Sequence, residues 1–190
     1  ENRPVYPCRQ VHSKTVVIVT DQDAEELAEI EADGLITRRR DAVLAVTVAD
    51  CLPIFLVDRD HGAFALLHSG WRGTGIVVQA LRRMEEQYAS RPAQIAVSIG
   101  PGIGSCCYRV EEDRAVEFRN RFGEKSVRRR ENEYYLDLAA ANAELLRGLG
   151  IKEIRVCGNC TACTPQLSSF RRDGAAFPHM LACIGENQSD

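Results

Sequence analysis

Several things are missing from this chain of 190 residues. No apolar stretch reaches the ~18 residues that a membrane span needs without meeting a charge. The longest, from Ala42, is broken by Asp50, Pro53 and Asp58. Positive charge is not in excess: 24 Lys and Arg stand against 27 Asp and Glu, a net charge of −3. That excludes a long-range pull toward nucleic acid or an anionic membrane. Arginine runs at Arg38 to Arg40 and Arg128 to Arg130 are flanked by acids and read as solvated faces or loops. No basic-then-apolar leader opens the chain; its abrupt start, ENRPVYPCRQ, leaves room for a missing N-terminal segment. There is no internal repeat and no linker, so residues 1–190 are expected to form a single domain with a core of its own. Histidine is scarce, with only His12, His61, His68 and His179.

Cysteine, in contrast, is plentiful, with eight in all. A disulfide framework suits small secreted chains; here several thiols lie inside apolar runs, which fits a reducing cytoplasm with buried thiols or metal ligands. Cys157, Cys160 and Cys163 make a C-x2-C-x2-C cluster that resembles part of an iron–sulfur run, but the fourth cysteine of such a run is missing. No second CxxC completes a zinc ribbon, and nothing in the sequence requires Cys106 and Cys107 to join the cluster. Loop thiols are the simpler reading.

The apolar passage from Ala42 to Gly75 organises the rest. Ala42 to Ala49 reads as a strand that delivers Asp50 and Cys51. Leu52 to Val57 is a second, ending at Asp58 to Gly62, a connection short enough for a hairpin. Ala63 to Leu67 is a third, delivering His68 and then Ser69 to Gly73. Around it, Lys14 to Thr20 reads as a strand, Asp21 to Ala32 as a short helix, Asp33-Gly34 as a turn and Leu35 to Thr37 as an extended piece. Thr74 to Tyr88 places Ile76, Val77, Ala80, Leu81 and Met84 on one helical face. Gln94 to Ile99 is a strand, Glu111 to Phe122 a helix, and Glu124 to Glu133 a charged connection. Asp137 caps a helix from Leu138 to Leu149 that Gly150 ends. Ile151 to Val156 is a strand, Gly158 to Gly174 a long polar loop, and Met180 to Ile184 a last apolar piece. The pattern is mixed α/β.

Cys51 and His68 therefore both sit where apolar segments end. Two chemistries fit. Thiolate and imidazole suit a borderline-soft ion such as zinc, with three protein ligands leaving a position for water or substrate; such an ion lowers the pKa of bound water to about 7. Alternatively Cys51 is a nucleophile and His68 its base, with Asp50 or another polar group orienting the ring. The two readings differ over His12, which only the first employs. Amides at Ser69 to Gly73, if a helix starts there, favour an anion, and Arg72 adds a charge. The glycines of Gly100 to Gly104 would let backbone approach a ligand. Arg171 and Arg172 could hold an anionic or polyhydroxyl ligand, or else pair with Asp173.

QVHS, ADGLIT, ADC before an apolar run, LHSGWRG, IGPGIGSCCYRV, YYLDLAAANAELL, and CT followed by SSFRRDG occur in that order. Together they resemble the YfiH family, whose mammalian relative is laccase domain-containing protein 1, over nearly the whole chain. The resemblance implies an α/β domain with mixed β-sheets enclosed by helices, similar to the catalytic domain of a cytotoxic deamidase. It implies metal ligands at His12, Cys51 and His68, and zinc-dependent phosphorolysis of adenosine, inosine, guanosine and methylthioadenosine, with adenosine deamination. The substrates are then a purine nucleoside and phosphate, with Arg72, Gly70, Gly73, Arg171 and Arg172 as candidates to bind them and Asp50 as proton carrier. The family's older assignment is a copper-dependent polyphenol oxidase; four histidines are too few for a true multicopper centre. The chain departs from the family in having only about ten residues before QVH, and in AAFPHMLACIG, with its extra His179, after FRRDG.

Overall fold

The apolar passage folds into three strands, as its pattern predicts, but they enter two different sheets. The computed structural model describes residues 3–186. In chain order the strands are β1 Val5–Tyr6, β2 Val16–Ile18, β3 Gly34–Thr37, β4 Val43–Val48, β5 Leu52–Asp58 and β6 Phe64–Ser69 in the first part of the chain. They continue with β7 Ile95–Ile99, β8 Arg109–Val110, β9 Val127–Arg130, β10 Glu133–Leu136, β11 Glu153–Val156 and β12 Met180–Gly185. The helices are α1 Ala24–Ala28, α2 Ile76–Tyr88, α3 Glu112–Phe122, α4 Leu138–Gly148 and α5 Phe170–Asp173.

A mixed six-stranded sheet runs β11-β7-β5-β6-β3-β2. β5 and β6 are its antiparallel hairpin centre, with Leu52 opposite Ser69 and Pro53 opposite His68. β4 instead joins a three-stranded sheet, parallel to β1 and antiparallel to β12. This explains why the passage is apolar almost without alternation. Successive side chains of a strand point to opposite faces, and here both faces are covered. Ala65 and Leu67 pack with Ile54, Leu56 and the apolar stripes of α2 and α4. Phe64 and Leu66 pack the other way, with Leu44, Val46 and Val48 of the second sheet and Leu27 of α1. Truncating fully buried Leu66 or Leu67 to Ala should cost about 2–5 kcal/mol.

α2 buries the five predicted positions. Asp137 caps α4, its Oδ1 accepting from Ala140 N at 2.9 Å, and Gly150 takes the left-handed conformation (φ +89°) that closes it. Three expectations fail. The long loop expected over Gly158 to Gly174 contains the short helix α5, started by Ser169 Oγ accepting from Arg172 N. The helix expected over Asp21 to Ala32 is only Ala24–Ala28, because Ala32 N bonds back to Arg9 O and Asp33 N to Thr15 O. The charged connection of Glu124 to Glu133 contains a hairpin, β9 with β10, which joins β8 in a third sheet. Its arginines are exposed strand residues, with Arg130 opposite Glu133. No helix among the described residues is long and apolar enough to cross a membrane.

Candidate metal centre and its pocket

The open end of the β5–β6 hairpin carries the site. Cys51 immediately precedes β5 and His68 lies near the end of β6, so strand pairing alone makes them neighbours. His12 arrives from the segment before β2. One ligand atom from each of His12, Cys51 and His68 lies within 4.8 Å of the others. The two imidazoles meet edge to face, ring centroids 4.9 Å apart.

What holds His12 there is Asp33. This carboxylate is fully buried. Oδ1 accepts from His12 N at 3.0 Å, and Oδ2 from Ser13 N at 2.6 Å and Ser13 Oγ at 2.8 Å. Oδ1 also lies 2.8 Å from His68 Nδ1, and the Asp33 carbonyl accepts from His68 N at 2.7 Å. One residue therefore fixes both histidines. His12 has a left-handed backbone, φ +59°, a conformation that persists in a non-glycine residue only where surroundings enforce it. Gln10 adds a second anchor: Thr47 N donates to its Oε1 at 2.7 Å and its Nε2 donates to Thr47 O at 2.8 Å.

The electrostatics are those of a coupled cluster. Burial opposes charge on Asp33, yet the bonds from His68 and Ser13 hold its carboxyl down at about 2. Burial would lower the His68 imidazole, but Asp33 and Cys51 lift it to about 9. Burial would raise the Cys51 thiol, but His12 and His68 draw it down to about 7. In the metal-free protein the three groups thus share protons as a thiolate–imidazolium cluster. An Asp bonded to Nδ1 leaves Nε2 of His68 free toward Cys51, the arrangement that a metal-ligating histidine commonly shows.

The donor set fits zinc. It offers one sulfur and two imidazole nitrogens, gathered together at the wall of a cavity of about 630 Å³. Three ligands facing open space match a catalytic rather than a structural zinc site.

The other predicted residues divide. Asp50 lines the cavity with a left-handed backbone, φ +79°. It does not orient His68, which Asp33 does; its oxygens accept instead from Thr161 Oγ1 at 2.6 Å and Arg171 N at 2.7 Å. Arg72 lines the cavity beside Trp71. Arg171 does too, its guanidinium over Tyr108 and bonded to the carbonyls of Cys107 and Arg109. Arg172 is turned away, bonded to the carbonyls of Thr161, Thr164 and Leu167 and paired with Asp173.

Gly70 and Gly73 are buried close approaches. A Cβ on Gly70 would stand 2.7 Å from Cys51 Sγ, and one on Gly73 would stand 3.1 Å from Ser13 O. The expected helix start lies further on, since turns occupy residues 71–75 and α2 begins at Ile76; the Gly75 amide goes to Asn142 Oδ1. Gly102 likewise brings backbone against Leu52 and Asp50 O rather than against a ligand.

Five residues of the site escape sequence reasoning. Asp33 reads there as a turn residue, and the one signal of a further role is its place in the ADGLIT motif. Arg114 of α3 stacks on Trp71 at 4.6 Å and faces the cavity. Tyr108 lines it as well; burial and the charge of Cys51 push its phenol up to about 12, so it stays protonated. Phe177 and His179 add an aromatic wall, Phe177 meeting Phe170 edge to face and the His179 ring at a tilt.

A mixed α/β protein with a Cys-His-His donor set beside an aromatic, arginine-bearing cavity is a defined class. Residues 1–187 match the family described as multi-copper polyphenol oxidoreductase laccase, and the chain belongs to that family, the YfiH family. It is 36% identical over 177 residues to a purine nucleoside phosphorylase of Deinococcus radiodurans, covering 93% of this chain and 68% of the relative. It is 36% identical to purine nucleoside phosphorylase YlmD of Geobacillus stearothermophilus, covering 95% and 72%. The crystal structure of YlmD from that organism is similar at a TM-score of 0.90, with 33% identity over 98% of this chain and 74% of that one. A Bacillus licheniformis hypothetical protein YfiH gives 0.87, at 33% identity and with 96% and 74% covered.

Proposed function

We propose that this chain is a zinc-dependent purine nucleoside phosphorylase that also deaminates adenosine, accepting adenosine, inosine, guanosine and methylthioadenosine in a cytoplasmic setting. The observation that carries the reading is the convergence of His12, Cys51 and His68 at the wall of a cavity that also presents arginines and aromatic faces. The relatives from Deinococcus and Geobacillus bear the phosphorylase name.

Zinc held by those three residues would supply Lewis-acid polarisation and, for deamination, a nucleophile at neutral pH. The chain's own residues do the rest. Asp33 fixes the His68 ring through Nδ1 and the His12 backbone through its amide, so neither donor must reorganise during turnover. Arg72 and Arg114, both beside Trp71, bring positive charge to the cavity and take the phosphate. Tyr108, Phe170 and Phe177 offer flat apolar surface to the purine. In phosphorolysis a phosphate oxygen bonds to ribose C1′, the C1′–N9 bond breaks, and the base leaves with the electron pair and takes up a proton. Asp50, held by Thr161 and Arg171, faces this space and relays to the base the proton that the attacking hydrogen phosphate gives up.

A second reading is a metal-free Cys–His hydrolase. The Cys51 thiol at about 7 and the Asp33–His68 pair favour it. The enforced left-handed placement of His12 favours the metal, because a thiol nucleophile has no use for a second imidazole there. Copper fits the same donors. Incubating metal-replete protein with adenosine and phosphate, while following adenine, inosine and hypoxanthine by chromatography and a phenolic dye in parallel, separates the readings. Phosphate-dependent free base supports phosphorolysis and inosine without phosphate supports deamination. Dye oxidation alone, on added copper, supports the oxidase.

A further inference from the structure

Away from the pocket floor, four thiols come together from two distant parts of the sequence. β7 and β11 are parallel neighbours, with Ile99 opposite Val156. Parallel strands send their following loops out at the same end of the sheet. One loop carries Cys106 and Cys107, the other Cys160 and Cys163, and a bridge between Gly102 and Cys160 keeps the two in register. The sulfurs of all four lie within 4.8 Å of one another. Cys163 Sγ is 3.6 Å from Cys106 Sγ and 3.3 Å from Cys107 Sγ.

We infer that Cys106, Cys107, Cys160 and Cys163 form a second metal site, a structural tetrathiolate centre for zinc that pins the irregular wall of the cavity. Zinc–sulfur bonds of about 2.3 Å in a tetrahedron imply sulfur–sulfur edges of roughly 3.8 Å, close to the observed spacing. Disulfide sulfurs would be about 2.05 Å apart. All eight cysteines of the chain are free.

Two further features fit a centre of thiolates. Gly104 N donates to Cys160 Sγ at 3.2 Å, a bond that favours the thiolate form. Gly104 also has no room for a side chain, since a Cβ there would meet Cys160 Cβ at 3.2 Å and Cys106 Sγ at 3.3 Å. Positive charge is nearby: Arg171 holds the carbonyl of Cys107, and Arg172 holds those of Thr161 and Thr164.

The site's consequence is positional. Thr161, next to Cys160, is one of the two residues that bond Asp50, and the other, Arg171, reaches from the cavity to Cys107. A metal joining the two loops ties Asp50 and Arg171 to the sheet without touching substrate. The arrangement owes nothing to the first metal site and stands whether or not the phosphorylase reading does.

The test uses the full-length chain with Cys51→Ala, which removes one ligand of the first site. The protein is reduced, stripped of metal and titrated with cobalt under anaerobic conditions. The expected result is one equivalent bound, with intense sulfur-to-cobalt charge-transfer absorption of a four-thiolate site, displaced stoichiometrically by zinc. Adding Cys163→Ser should abolish that absorption and lower Tm. Should the double variant not fold, the single one still decides, with His12→Ala as an alternative background. Absence of the charge-transfer bands in folded, fully reduced protein would overturn the inference. So would retention of the full signal in a folded Cys163→Ser double variant, or a disulfide among these four in protein kept anaerobic throughout.

Discussion

Asp33 Oδ1 lies 2.8 Å from His68 Nδ1, with both side chains buried. The same oxygen takes the backbone amide of His12 at 3.0 Å. A single carboxylate thus orients one ligand by its ring and another by its main chain. Asp33→Asn keeps the shape but puts an amide where several donors converge. Loss of such a partner typically weakens metal binding 10–100-fold, and a fall of that order in zinc affinity is expected from competition with a chromophoric chelator. An unchanged affinity would show that the carboxylate does not orient the donors.

Protons compete with metal at this cluster, and the sign of the effect is fixed. In the metal-free protein the His68 imidazole is lifted to about 9 and the Cys51 thiol lies near 7. Both must deprotonate to ligate. Apparent zinc affinity should therefore rise with pH across that range and level off above about 9. Calorimetry at one pH in two buffers of different ionisation enthalpy should report proton release on binding, largest where the imidazolium is still intact.

Folding stability has its own pH dependence. The Asp33 carboxyl falls from an ordinary 3.8 to about 2 in the folded protein. A depressed folded-state value means its contribution is complete above 3.8 and drains as pH falls through 2. The raised His68 value acts in the opposite sense: its contribution is complete below 6.5 and drains as pH rises through 9. Over the same range the depressed Cys51 thiol adds stability as pH rises from about 7 toward 9 and offsets most of that loss. Chemical denaturation of the metal-free protein should therefore show the acid limb with only a shallow alkaline one, and Asp33→Asn should flatten the acid limb.

Gly70→Ala should act on the metal rather than on the fold. Its new Cβ would lie 2.7 Å from Cys51 Sγ, so the sulfur must shift. Overpacking of this kind costs about 1–3 kcal/mol. The expected outcome is a folded protein, by circular dichroism, with weakened zinc binding and little turnover.

The arginines separate by role. Arg72→Gln removes a charge from the cavity, and losing a charge-assisted bond worth about 1.5–3 kcal/mol should raise the KM for phosphate roughly 10–100-fold. Arg172→Gln breaks a clamp on the loop carbonyls instead; it should lower Tm before it alters the KM for phosphate.

These residues also show what a sequence can and cannot disclose. The β5–β6 hairpin, the buried stripe of α2 and the Asp137 cap follow from local rules, so the position of Cys51 and His68 at strand ends is legible in the pattern alone. His12 enters the ligand set through its family motif, since nothing in spacing brings it across from residue 12. Asp33 is hidden as an organiser because its partners lie at positions 12, 13 and 68. β9 and β10 escape notice because a polar hairpin has no apolar periodicity to reveal it. The four-thiol cluster depends on β7 and β11 lying parallel and adjacent, a pairing that only the whole sheet decides. The cavity wall from Phe170 to His179 is built from two short helical turns and the bare chain after them, too short for a period to be read.

If His12, Cys51 and His68 hold the metal on which phosphate-dependent base release depends, loss of His12 must remove both. The most direct measurement follows free purine base from adenosine, with and without phosphate, for the wild-type protein and for His12→Ala, alongside the metal content of each. The expected result is phosphate-dependent release by the wild type that a chelator abolishes, and neither release nor first-site zinc in the variant. Full base release by a His12→Ala protein lacking that zinc would contradict it.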